Sequence, residues 1–193
     1  MTSPSCSSQF SYIDSPEFLK RSLHLITIIS IPVSILGMYC ILFKTPDQMR
    51  SVKPYLMNLH LSIILFDFFI SILTIPFFLF PELAGIPYGV LRDLGVPTSI
   101  QTYTTLVVLS YVAVAIMAIY ENRFFILCTF RYKTIWAYGR RIWLIFNYLI
   151  SPIMLAPALF VIHDQEAAKL HLFQQLPCLP KFIYQEPIFT ITN

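Results

Sequence analysis

Asp67 is the first residue in this chain to suggest chemistry, because it sits alone in a run from Pro54 to Pro81 that is otherwise free of charge. A carboxylate in apolar surroundings costs at least about 2.5–3.5 kcal/mol on membrane-insertion scales, so it needs a partner. At helical spacing His60, Asp67, Ser71 and Thr74 share a sector roughly 60° wide, with Asn58, Ser62 and Pro76 opposite. The stripe is expected to face a bundle interior, and two readings stay open. Asp67 could hold a cation or a water network, or be a neutral, hydrogen-bonded carboxyl that fixes packing. A second group, Gln101, Thr102, Tyr103, Thr104 and Thr105, opens a later apolar run. Gln101, Thr104 and Thr105 could line a ligand cavity, which combines apolar walls with a few polar groups. Wetting by lipid headgroups, with Tyr103 as an interfacial anchor, accounts for them equally. A third group, Glu121-Asn122-Arg123, closes that run and reads either as a solvated helix end or as a charged contact motif. From Phe124 to Arg141 follows a basic and aromatic stretch, expected as a loop suited to anionic lipid or to an acidic partner.

The elements that position these residues follow from composition. Of 193 residues 56% are apolar and only 12% charged, with a mean hydropathy of +0.69, against roughly 25% charged in soluble domains. A span needs about 20 apolar residues, and four stretches reach that length: 22–43, 55–80, 99–120 and 142–162. A stub of a fifth, 184–193, is too short to cross. The expectation is an all-α integral membrane bundle, with a tail over 1–21 and a helical domain over 22–193. A soluble protein with four such stretches would lack the polar surface to cover them. Pro32, Pro76, Pro152 and Pro157 fall inside the expected spans as kinks, which packed membrane helices tolerate.

Orientation is read from Lys and Arg in the short connections. Lys44, Arg50, Lys53, Arg123, Arg131, Lys133, Arg140 and Arg141 lie on one side, against Lys20, Arg21, Arg92, Lys169 and Lys181 on the other. The richer side is expected in the cytoplasm, which puts the N-terminus and the Gln101 end outside. Cys40 and Cys128 then lie near the reducing side, while Cys6 and Cys178 fall outside and could form a disulfide or stay free. On the first span Thr27, Ser30, Ser34 and Gly37 make a small-residue stripe for close helix approach. The four histidines show no paired metal spacing, and no phosphate loop or nucleophile elbow occurs. Neither an enzyme, a cofactor nor a nucleic-acid partner is expected.

Four N-out helices, an intramembrane Asp, an acid-x-Arg triplet after the third helix and Trp143 opening the fourth resemble the seven-helix G-protein-coupled receptors. Closer matches are Asp14-Ser15-Pro16-Glu17-Phe18-Leu19, Met57-Asn58-Leu59-His60, Phe80-Pro81-Glu82-Leu83-Ala84-Gly85 and Leu176-Pro177-Cys178-Leu179-Pro180. Together with Gly95-Val96-Pro97 and Glu121-Asn122-Arg123-Phe124, they resemble the nematode chemoreceptors called serpentine receptor class H. The resemblance implies a multi-pass receptor in the plasma membrane, of sensory cilia in that family. Such a receptor detects a small-molecule odorant or other chemical cue and activates a heterotrimeric G protein. It implies that Arg123 carries the conserved-arginine role with Glu121 restraining it, and that Asp67 marks the mid-membrane polar site. The third helix lacks an outer cysteine, so a Cys6–Cys178 bond is the expected substitute for the usual disulfide. The family has seven helices, so this chain is expected to be a truncated product that does not signal alone. The competing reading is a non-signalling four-helix assembly partner or a transporter half.

Overall fold

The computed structural model describes Tyr12 and residues 15–79, 84–129, 131–157 and 189–190. The first helix, α1, runs Pro16–Phe43. It starts six residues before the apolar stretch because Ser15 caps it. The Ser15 Oγ accepts from the Phe18 N–H at 3.2 Å, and Pro16 occupies the first turn. Residues 16–21, expected in the tail, are therefore helical. After Lys44 a single 3-10 turn, Asp47–Met49, leads into α2, Lys53–Phe68.

The second span departs most from expectation. Instead of reaching residue 80, α2 widens into a π-helical turn, Phe69–Thr74, and stops. Ile75 takes φ 41°, a left-handed conformation that is unusual for a β-branched residue. Pro76 supplies the reason: it disfavours helix at the residue before it and has no N–H to continue the ladder. Pro76 is thus no kink but the first residue of strand β1, Pro76–Leu79, which pairs antiparallel with β2, Ala84–Pro87. Phe77 lies opposite Ile86, and Phe78 opposite Gly85. A third strand, β3 at Phe189–Thr190, pairs with Ala84–Gly85. Those two residues fall in the expected stub and are extended; the rest of 184–193 lies outside the described residues.

The hairpin returns to cap α2. Tyr88 and Gly89 donate backbone N–H groups to the Thr74 carbonyl at 3.1 and 2.9 Å. A Cβ on Gly89 would stand 2.2 Å from the Leu73 carbonyl oxygen, so only glycine fits this close approach. The short α3, Val90–Asp93, ends in a Schellman turn: the Val96 N–H reaches the Leu91 carbonyl, the Gly95 N–H reaches that of Arg92, and Gly95 takes φ 74°.

Helix α4 runs Thr98–Leu127, well past the expected end at 120, and α5 runs Lys133–Leu155, starting nine residues before the expected 142. The stretch 124–141 is thus mostly helix, and the connection shrinks to 128–132. The far end of the expected fourth span, 158–162, lies outside the described residues. Three helical segments, Pro16–Phe43, Lys53–Thr74 and Thr98–Leu127, are long and apolar enough to cross a membrane. Helix α5 opens with Lys133, Arg140 and Arg141 before its apolar part.

Helix α1 packs on α2, α2 on α4, and α4 on α5. The core sits along α4, where Val107, Val108, Val114, Ala115 and Ala118 are buried. No residue of α1 or α5 is buried, and Ile29 and Ile153 are 67% and 68% exposed. In water such continuous apolar faces are a liability; against lipid tails they cost nothing. The chain is a helical membrane bundle.

Candidate functional site

Polar side chains collect at the two ends of α4. Gln101 and Asn122 are 1% and 3% exposed, and each carries a buried amide atom without a hydrogen-bond partner among the described residues. They stand 21 residues apart in one helix, about 31 Å at 1.5 Å per residue, close to the thickness of a bilayer's hydrocarbon core.

At the first end, the π-turn, the hairpin and the start of α4 enclose a cavity of about 210 Å³. Phe66, Ile70, Thr74, Ile86, Gln101 and Thr105 are among its walls. The Gln101 Nε2 donates to the Val96 carbonyl at 2.8 Å, which fixes the amide's orientation, since a carbonyl only accepts. The atom left without a partner is the acceptor Oε1. Thr105 lines the cavity but spends its hydroxyl hydrogen on the Gln101 carbonyl at 2.8 Å. Thr104 does not line it; its hydroxyl bonds Ile100, while Thr102 takes a place in the wall. Tyr103 donates to the Pro152 carbonyl at 2.9 Å and so ties α4 to α5.

The expected stripe on the second helix is split. His60 Nε2 donates to the Ser34 carbonyl at 2.9 Å, and the Ser30 hydroxyl donates to Asp67 Oδ2 at 2.8 Å. Both residues therefore face the small-residue stripe of α1, not a bundle interior. Asp67 is exposed, on a groove of about 540 Å³ between the two helices. Ser71 and Thr74 are instead buried, both within the π-turn, whose wider winding departs from the α-helical spacing that put them on one face with Asp67. Thr74 turns its hydroxyl back to the Phe69 carbonyl at 2.6 Å. A contact that does cross the bundle comes from the opposite side of the helix: Asn58 Nδ2 donates to the Tyr148 hydroxyl of α5 at 2.6 Å. Ser110 and Ser151 add a hydroxyl pair between α4 and α5.

At the second end of α4, Glu121 does not restrain Arg123. Residues two apart on a helix point about 200° away from each other and cannot pair. The partner of Glu121 is Arg140, which donates from Nε at 3.1 Å and from Nη2 at 2.8 Å to Oε2. The Trp136 indole N–H holds the other carboxylate oxygen at 2.9 Å. Arg140 Nη2 also reaches Asn122 Oδ1 at 2.8 Å and the Tyr55 hydroxyl at 2.9 Å, and the guanidinium lies 4.5 Å from the centre of the Phe125 ring. The two charged side chains are 11% and 8% exposed, so this is a nearly buried ion pair joining α2, α4 and α5. Arg123 is exposed and has no hydrogen bond or ion pair among the described residues. Lys133 folds back to the Cys128 carbonyl at 3.2 Å and closes the short connection. Arg140 entered the sequence reading only as loop charge, but Trp136, Arg140 and Trp143 are spaced by four and three. That pattern would have placed them on one helical face. Cys6 and Cys178, the expected disulfide, lie outside the described residues.

Membrane-length helices, a largely apolar cavity at one end and a nearly buried ion pair at the other make a receptor-like membrane bundle. The sequence matches the family described as serpentine type 7TM GPCR chemoreceptor Srh over residues 14–193. The chain belongs to that family of seven-helix receptors, which are not enzymes. Serpentine receptor class H-72 of Caenorhabditis elegans is 30% identical over 177 residues, covering 92% of this chain and 52% of that protein. The chain thus spans about half the length of the curated relative it matches. No solved structure matches it.

Proposed function

We propose that this protein senses a small molecule at the Gln101 end of α4 and acts on a heterotrimeric G protein at the Glu121-Asn122-Arg123 end. The observation that carries the reading is the single helix α4, whose two buried amides, Gln101 and Asn122, bracket a membrane's thickness with an unpaired atom at each end. One rigid element therefore contacts both the cavity and the opposite face, as transmission across a bilayer requires. The excess of Lys and Arg at the Asn122 end supports placing that end in the cytoplasm, with the N-terminus outside and the receptor in the plasma membrane, ciliary in sensory cells. With Glu121 neutralised by Arg140, the exposed Arg123 is free of that pair and available to meet a partner.

The test is ligand-evoked nucleotide exchange on a G protein by a receptor of the relatives' full length that contains these residues. A small molecule should raise the exchange rate, and Arg123→Ala should abolish that rise while leaving the amount of receptor at the cell surface unchanged. Exchange that no small molecule alters, across a panel of volatile and water-soluble cues, would count against the reading. So would an Arg123→Ala receptor that responds like the parent.

A further inference from the structure

We infer that the lipid-facing side of α5 around Arg141 binds the headgroups of anionic phospholipids, with Arg131 in the preceding connection as a second cation for them. The basic residues of the stretch 124–141 are Arg131, Lys133, Arg140 and Arg141, and the fold divides them. Two are spent inside the protein. Arg140 is committed to Glu121, Asn122 and Tyr55, while Lys133 donates to the Cys128 carbonyl at 3.2 Å and lies 5.1 Å from the centre of the Phe125 ring. Arg131 and Arg141 are exposed, and neither has a hydrogen bond or ion pair among the described residues. The acids at this end of the bundle, among the described residues, do not answer them: Glu121 is held by Arg140, and Asp47 lies in the turn between α1 and α2.

Depth and surroundings identify the partner. Arg140 meets Asn122 at 2.8 Å, and Asn122 marks one edge of the roughly 31 Å between the two ends of α4. This turn of α5 therefore stands at the boundary of the hydrocarbon layer. Tyr138, Arg141 and Ile145 fall within about 60° of one another at helical spacing, on one face. Tyr138 and Ile145 are 80% and 60% exposed, and Ile142 beside them is 71% exposed. An arginine among outward-turned apolar side chains needs a molecule that offers an anion and a hydrocarbon chain together, and a phospholipid does both. Its phosphate accepts the paired N–H groups of a guanidinium, and its acyl chains cover Ile142 and Ile145. The long stem of Arg141 carries the charge to the headgroup layer, where a tyrosine such as Tyr138 also belongs. A choline headgroup sets its own cation against the phosphate, so net-negative headgroups are the ones two free arginines select. An acidic protein surface answers the charges but not the exposed apolar side chains around them. That the cytoplasmic leaflet supplies such lipids rests on the orientation proposed above; the binding itself does not.

The experiment reads lipid contact from the chain's own tryptophans, Trp136 and Trp143, which stand five residues before and two after Arg141. The full 193-residue chain is placed in phosphatidylcholine bilayers. Lipid is then exchanged stepwise for phosphatidylserine or phosphatidylcholine brominated on the acyl chains, which quenches indole fluorescence on contact. The two quenching curves give the relative affinity of the serine lipid at this surface. It should be at least about fivefold over the choline lipid, and about 1 M salt should bring it close to unity by screening. Arg141→Gln should lower it at least about threefold and Arg131→Gln at least about twofold. Lys20→Gln, at the opposite end of the bundle, should leave it unchanged. The comparison still stands on Arg131→Gln if Arg141→Gln misfolds. Equal quenching by the two lipids in the unmodified chain would overturn the inference and assign the exposed cations to an acidic protein surface. So would a preference that survives both arginine variants, or one that Lys20→Gln lowers as much, because it would then follow net charge alone.

Discussion

Removing Arg140 should be among the most destabilising single changes in the bundle. Its guanidinium makes two contacts to Glu121, at 3.1 and 2.8 Å, one to Asn122 at 2.8 Å and one to Tyr55 at 2.9 Å. With both charged side chains about one-tenth exposed or less, Arg140→Met strands a carboxylate that, among the described residues, only Trp136 still holds. Breaking a buried pair from one side costs about 3–5 kcal/mol. The remaining Trp136 hydrogen bond puts this case near the lower figure, about 3 kcal/mol. Glu121→Gln leaves Arg140 its Asn122 and Tyr55 contacts and should cost about 2 kcal/mol. The double variant has no stranded charge, so it should be less destabilised than the two singles together by at least about 1.5 kcal/mol. Equilibrium unfolding in mixed micelles of rising dodecyl sulfate fraction reads all three. The fluorescence of Trp136 and Trp143, whose rings lie 6.0 Å apart, reports the transition. Additivity within about 0.5 kcal/mol, or an Arg140→Met cost below 1 kcal/mol, would show that the pair is a solvated contact and that α5 is not held by it.

Other substitutions probe the remaining contacts. A Cβ on Gly37 would stand 2.9 Å from His60 Cε1, so Gly37→Ala should push the ring off the Ser34 carbonyl and cost about 1 kcal/mol. In a His60→Ala background the same change should cost nothing, and an unchanged penalty there would rule this contact out as its cause. Gly89→Ala drives a Cβ to 2.2 Å from a backbone oxygen and should cost about 3 kcal/mol or more, as overpacking against atoms that cannot yield. Thermal unfolding of the purified variant measures it. Asp67→Leu removes an exposed carboxylate from mid-span and should ease insertion of the second helix by about 2.5–3.5 kcal/mol. A glycosylation reporter in the intact chain reads the inserted fraction; no change would mean that Asp67 meets water and not hydrocarbon.

The helices were legible because a bilayer imposes a length that charge-free runs either reach or miss. Their ends were less so, since they depend on single residues. Ser15 extends α1 through the charged Glu17, Lys20 and Arg21, and Pro76 with a left-handed Ile75 turns an apolar stretch into a strand. Periodicity cannot see that second change, because Pro76-Phe77-Phe78-Leu79 is as apolar as the helix before it. The polar residues were found by type, but their neighbours were not. Ser71 and Thr74 fall in a π-turn that α-helical spacing does not anticipate and are buried while Asp67 is exposed, and treating 124–141 as loop hid the face that carries Trp136 and Arg140. Gln101 was legible as a polar group opening an apolar helix. That its Oε1 lacks a donor needed the Val96 carbonyl in place.

That the Gln101 cavity faces outward while the Glu121–Arg140 pair faces the cytoplasm is tested most directly by thiol accessibility in intact cells. In a chain with its native cysteines replaced by serine, Leu94→Cys sits at a 71% exposed position beside the cavity end, and Thr129→Cys sits in the short connection near Glu121. A membrane-impermeant maleimide should label Leu94→Cys from outside and reach Thr129→Cys only after permeabilisation. Labelling in the opposite order would contradict the outward cavity and the cytoplasmic Arg123 together.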